Sequence, residues 1–144
     1  MRKKLLPFVL SALLMGETVM AQTIEMIIGE QAFTVELLEH DAARAFADRL
    51  PMTLTFENFG STERIAYLKQ ALTIGSAPTS ADPKIGDLAY YIPWGNICVF
   101  VKDFRHSEDL VPMGKMSFEA TKALKESGNQ PVTFRPVKRN NSGE

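Results

Sequence analysis

The sequence predicts a mainly β protein, a closed antiparallel β-barrel of about eight short strands with two short helices closing its ends. Three observations carry that prediction. Apolar and polar residues alternate in short runs bounded by Gly, Pro, Asn and Asp, the two-residue period of a half-buried strand. Apolar residues recur at helical spacing in two short segments, one opening at Asp41 and one at Ser117. The run Ile97-Cys98-Val99-Phe100-Val101 is continuously apolar, which fits a central strand covered on both faces.

Ahead of the barrel, Arg2, Lys3 and Lys4 precede an apolar run from Leu5 to Met15, a polar break at Gly16-Glu17-Thr18 and the segment Val19-Met20-Ala21. That layout predicts a secretory signal peptide over residues 1–21, because its apolar run is shorter than the ~18 residues of a spanning helix. The expected localisation is periplasmic or secreted, with no membrane attachment after cleavage. No cysteine follows the run, which argues against a lipid-modified N-terminus. Cleavage removes three of the 16 basic and one of the 17 acidic residues, so the mature chain is net acidic. Nucleic-acid binding depends on a basic patch and is disfavoured by that balance. The remaining length suits one domain, residues 22–137, followed by a polar tail over 138–144 expected to be disordered.

Taken in order, Ile24, Met26 and Ile28 line one side of a first strand and Phe33, Val35 and Leu37 one side of a second, with Gly29-Glu30-Gln31 turning between them. Asp41 offers an N-cap for a helix whose inward stripe is Ala42, Ala43, Phe46 and Leu50, stopped by Pro51. Met52, Leu54 and Phe56 alternate with polar residues in the next strand; Asn58-Phe59-Gly60-Ser61 turns it, and Arg64 to Leu68 returns. From Lys69 to Ile85 the periodicity disappears, and a loop of that length is usually functional or mobile.

Gly86 to Phe104 reads as the central hairpin, its turn Pro93-Trp94-Gly95-Asn96 using the tolerance of Gly95 and Asn96 for positive φ. A short strand follows around Val111 to Met116. Ser117 then caps a helix with Phe118, Thr121 and Leu124 inward, Lys122 and Lys125 near its end and Gly128 beyond it. Val132 to Val137 forms the last strand.

The chemistry legible in these residues is sparse. Cys98 is the only cysteine, so no intramolecular disulfide forms; flanked by Ile97 and Val99, it reads as a small buried hydrophobe. His40 and His106 are the only histidines and lack partners at metal-ligand spacing, no Gly-x-Ser-x-Gly or Gly-rich phosphate loop is present, and Arg105 to Asp109 reads as solvated charge. Nothing in the sequence requires a cofactor. What stands out is an aromatic concentration, with Tyr90, Tyr91, Trp94, Phe100 and Phe104 in one hairpin and Phe56, Phe59 and Tyr67 in a nearby strand pair. Tyr90 and Tyr91 must point to opposite faces, and a Trp at a turn is hard to bury fully, so a rim-facing subset can form a shallow pocket with Arg105 or Lys115 as its polar handle.

Several of these segments resemble the small bacterial cyclophilin-like proteins, a family of unknown function. The resemblance runs through Ala45-Phe46, Leu50-Pro51-Met52-Thr53-Leu54-Thr55-Phe56, Ile85-Gly86-Asp87-Leu88-Ala89-Tyr90-Tyr91, Pro93-Trp94-Gly95-Asn96 and Lys102-Asp103-Phe104, and covers roughly Ile24 to Pro136. It implies a closed cyclophilin-like barrel. Met113-Gly114-Lys115-Met116 is similar to the family's Leu-Gly-Arg-Ile segment, with Lys in place of Arg, and Lys cannot make the planar bidentate contacts of Arg. The cyclophilin Phe-His-Arg and Gln-Gly-Gly-Asp-like segments are absent.

Three functions stay open on these grounds. The first is an exported barrel that binds a peptide or small ligand through Phe56, Tyr91, Trp94, Phe104, Arg105, Met113 and Lys115. The second is a divergent peptidyl-prolyl isomerase, with Arg105 or Arg64 stabilising a twisted amide and Phe56, Trp94 and Met113 as pocket walls. The third is a structural accessory domain whose aromatic hairpin docks a partner protein.

Overall fold

The computed structural model describes residues 20–137. Residues 1–19 of the expected signal peptide and the expected tail over 138–144 lie outside the described residues. Strands β1 (Met20–Ile28) and β2 (Gln31–Leu38) form a hairpin, helix α1 (Asp41–Asp48) follows, and β3 (Met52–Thr55), β4 (Glu57–Phe59) and β5 (Glu63–Tyr67) come next. A long connection holds the two-residue β6 (Ser80–Ala81), the central hairpin comprises β7 (Asp87–Tyr91) and β8 (Asn96–Phe100), and β9 (Ser107–Glu108) and β10 (Leu110–Met116) lead to helix α2 (Phe118–Lys125) and β11 (Pro131–Pro136).

Nine strands form one antiparallel sheet in the order β3-β11-β1-β2-β10-β7-β8-β5-β4. Its two edges, β3 and β4, are one chain segment joined at Phe56, so the sheet curls into a nearly closed barrel and hides most of its edges. The expected mainly β barrel with two helices is therefore present, with Asn58 and Phe59, expected in the turn after the Met52 strand, forming the short strand β4 with Glu57, and with β6 and β9 added as a separate two-stranded ribbon. Neither helix among the described residues is long and apolar enough to cross a membrane.

Alternation sorts the side chains as the sequence predicts. Ile24, Met26, Val35, Leu37, Leu88, Tyr90, Ile97, Val99, Val111 and Phe134 fill the barrel, joined by Phe46 from α1 and Leu124 from α2. Strand β8 is buried along its whole length because a second, smaller apolar cluster of Ile65, Ala89, Cys98, Phe100 and Leu110 covers its outer face. That second layer is what positions the candidate site.

Local differences from the sequence expectation have identifiable causes. His40, not Asp41, caps α1: its backbone is extended (φ −163°), and its Nδ1 accepts the Ala43 N–H at 3.1 Å while Nε2–H donates to the Pro112 carbonyl at 2.7 Å. Asp41 is thereby free to accept Arg44 and both the N–H and the hydroxyl of Ser76, and these bonds, led by the Ser76 N–H, lower its carboxyl pKa to about 2. The same contacts anchor the long connection, as does Arg49, which donates to the Gln70 and Ala71 carbonyls. Leu72 and Ala77 of that connection are buried on the barrel core, and the Leu72 N–H donates to the Tyr90 hydroxyl. Phe118, expected inward, is exposed at the first position of α2, where Ala120, Thr121 and Leu124 form the inner stripe. Gly95 adopts φ +66°, but Asn96 does not have positive φ; it is a buried residue of β8.

Candidate ligand pocket on the outer face

Strand register assembles the site from residues that no sequence motif connects. Phe59 pairs with Glu63 across β4–β5, and Glu63 pairs with Phe100 across β5–β8. Two residues along, Ile65 pairs with Cys98 and Cys98 with Ala89; two further, Asn96 pairs with Tyr91 and Tyr91 with Leu110. Because successive residues alternate faces, all of these point outward while Leu88, Tyr90, Ile97 and Val99 point into the barrel. Tyr90 and Tyr91 accordingly divide as expected, the first fully buried and the second half-buried.

Above this floor two aromatic groups rise. Trp94, carried by the β7–β8 turn and 49% exposed, stands nearly perpendicular to Phe59 (centroids 5.4 Å, 82°) and to Tyr91 (5.8 Å, 78°). Phe104 stacks on Phe100 at 6.2 Å, and the Arg105 guanidinium lies 4.4 Å from the Phe104 ring centroid. Between them is a cavity of about 450 Å³, within the size range of small-ligand sites. Strand β9 of the β6–β9 ribbon lines its outer rim beside His106, whose Nδ1 lies 2.9 Å from Asp82 and Nε2 3.1 Å from Glu108. The two carboxylates, Asp82 foremost, raise the His106 pKa.

The polar groups of the floor are unusual in what they lack. Burial raises the Glu63 carboxyl pKa, an effect opposed by the neighbouring Cys98 thiol, and no Lys, Arg or His forms an ion pair with it among the described residues. Asn96 is 1% exposed, and its one side-chain partner among the described residues is the Cys98 thiol, which donates to Oδ1 at 3.2 Å. The thiol has one proton for two acceptors, Asn96 and Glu63. Burial, reinforced by the Glu63 charge, pushes Cys98 well up, so it is a protonated wall of the pocket rather than a nucleophile. Arg105 has no ion-pair partner among the described residues and lines the cavity with its guanidinium over Phe104.

Of the residues expected at the site, Tyr91, Trp94, Phe104 and Arg105 converge here. Phe56 and Met113 do not: both are fully buried in the barrel core, Phe56 because it is the joint between β3 and β4 and Met113 because its register on β10 is inward. Lys115 is exposed on β10 opposite Asp87, away from the pocket, where its charge opposes the burial that raises the Asp87 pKa. Arg64, expected as an alternative donor, is buried elsewhere: Nε donates to the Leu124 carbonyl, Nη1 to Asn58 and Nη2 to the Ser127 hydroxyl and the Gly128 carbonyl. Phe59, Glu63 and Asn96 were not foreseen as site residues. Phe59 is signalled in the sequence only as a member of the aromatic concentration and Asn96 only by alternation relative to Cys98, while Glu63 joins them through the pairing register alone. Among the described residues no three His, Cys, Asp or Glu side chains group as metal ligands.

No curated protein matches the chain. Among solved structures it is similar to the solution structure of a hypothetical protein from Archaeoglobus fulgidus, with a TM-score of 0.59 and 23% identity over 85% of this chain and 100% of that one. At that identity the likeness shows the fold alone. The model of the Cyclophilin-like family matches residues 26–135, from within β1 to within β11 and so across the whole barrel, and the chain belongs to that family.

Proposed function

We propose that the protein is an exported binding domain that holds a peptide or small ligand in the outer-face pocket. The observation that carries this reading is the convergence of half-exposed Trp94 and half-buried Tyr91 and Phe104 with the unpaired Arg105 guanidinium on one concave site. Aromatic walls supply apolar area and shape, and Arg105 supplies donors for a carbonyl or carboxylate. The concavity favours a ligand over a flat partner surface. Export rests on the basic, apolar and small-residue order of residues 1–21. Cleavage after Ala21 is compatible with the fold, since a register shift separates the Met20 pairing from the regular ladder that starts at Gln22.

Trp94 is the only tryptophan and lies on the pocket wall, so its emission reports occupancy directly. Titrating Gln22–Glu144 with acetylated, amidated Xaa-Pro tetrapeptides is expected to give a saturable change, with affinity falling at least about tenfold in Arg105→Ala. No saturable change across the series rejects the reading.

The position of Arg105 over an aromatic wall also favours a second reading, a divergent prolyl isomerase in which its guanidinium stabilises the twisted amide. The barrier to be lowered is about 20 kcal/mol. A protease-coupled assay decides this: acceleration abolished by Arg105→Ala supports catalysis, and background rates with peptides that do bind exclude it.

A further inference from the structure

We infer that the pocket contains a subsite for an ammonium group, formed by the ring faces of Phe59, Trp94 and Tyr91 and by the Glu63 carboxylate. The ligand class that follows is a cationic amine, such as a lysine side chain presented by a peptide. This inference rests on the ligand-pocket reading and adds to it the chemistry of one end of the ligand.

Two observations carry it. Trp94 meets both Phe59 and Tyr91 nearly edge to face and all three line the cavity, so three π systems border it together, and a ring face turned to the cavity attracts a positive charge through its quadrupole. Glu63 sits beside that corner, paired in register with Phe59, half-buried and without a cationic partner among the described residues. A carboxylate removed from water needs a compensating charge or donor, and the Cys98 thiol, shared with Asn96, supplies only a weak one. An ammonium gives Glu63 a charge-assisted hydrogen bond while its methylenes lie on the rings.

The other charges around the cavity leave this corner to a cation. Arg105 is held over Phe104, which stacks on Phe100, the register partner of Glu63, and it forms no ion pair with Glu63; His106 is already flanked by Asp82 and Glu108. The buried Asn96 amide, with one side-chain contact, remains available to a neighbouring carbonyl of the same ligand. The geometry thus suits a chain that places an amine near Glu63 and carbonyl groups toward Asn96 and Arg105.

The test compares acetyl-Gly-Lys-Pro-Gly-amide with the same peptide carrying norleucine in place of lysine, which differs chiefly by the ammonium. Isothermal calorimetry on Gln22–Glu144 is expected to show the lysine peptide binding about tenfold more tightly. Glu63→Gln keeps the side-chain shape and is expected to reduce the ratio to about twofold or less, chiefly by weakening the lysine peptide. Phe59→Leu, at a half-exposed position, is expected to narrow the ratio in the same direction without relying on the Glu63 variant folding. Equal affinity of the two peptides for the wild type overturns the ammonium subsite while leaving the pocket as a ligand site. Absence of binding by both overturns the subsite together with the binding reading. A lysine preference that survives both substitutions also overturns the assignment.

Discussion

At Arg64 a guanidinium is buried with no carboxylate as its ion-pair partner among the described residues. Three of its four acceptors, the Leu124 and Gly128 carbonyls and the Ser127 hydroxyl, lie at the end of α2, so the charge sits at the negative pole of that helix and closes backbone groups the helix leaves open. Burial lowers its pKa, and a guanidinium is not deprotonated in proteins, so the site must accommodate a charge. Arg64→Ala is expected to cost about 2–4 kcal/mol by urea denaturation, and Arg64→Lys to recover less than half, because an ammonium cannot span acceptors arranged for a planar fork. A loss below about 1 kcal/mol rejects the cap role. His40 is the parallel case at α1. One ring caps the helix and ties it to β10, so His40→Ala is expected to cost about 1–3 kcal/mol and His40→Asn, which restores only the cap, to recover part of it in thermal melts. Both roles were hidden in the sequence: a buried arginine and a capping histidine look like ordinary surface residues until distant backbone carbonyls are placed beside them.

Ribbon β6–β9 is the element at which a histidine contact is expected to make stability depend on pH. Its two strands contribute only two paired positions, and His106 joins them to Asp82 and Glu108 at the pocket rim. The carboxylates raise the folded His106 pKa above its ordinary value of 6.5. Stabilisation from this contact is therefore fully present below the unfolded pKa and is lost as pH rises through the folded one. Hydrogen-exchange protection at Ser80, Ala81, Ser107 and Glu108, corrected for intrinsic rates, is expected to fall across that window, and His106→Gln to flatten the dependence. Protection that stays level in the wild type rules the clasp out. The sequence made the hairpin β7–β8 legible because alternation, a turn and a continuous apolar run agreed there. It left the ribbon unread because two-residue strands have no period, and a histidine between acids looks the same in solvated loops.

Across the whole molecule, one sheet serves two purposes by virtue of its two faces. The inner face and the helices form the barrel core, and the outer face of β4, β5, β8 and β7 bears the pocket. Periodicity sufficed for the barrel, since each strand's apolar set is local information. It could assign Tyr90 and Tyr91 to opposite faces but not decide that Phe56 and Met113 point inward with Tyr90, which depends on register between strands remote in sequence. The separation of faces makes stability and binding separable in turn. Met113→Ala removes a fully buried side chain and is expected to cost about 2–5 kcal/mol, with ligand affinity of the still-folded fraction changed less than about threefold. Trp94→Ala removes a half-exposed ring and is expected to cost less than about 1 kcal/mol while reducing affinity for the lysine peptide at least about tenfold. Calorimetric titration and urea denaturation of the same two proteins measure both quantities. If Met113→Ala abolishes binding while its fold persists, or Trp94→Ala leaves binding intact, the outer face is not the ligand-bearing one, because an inward side chain reaches that pocket only through the sheet itself.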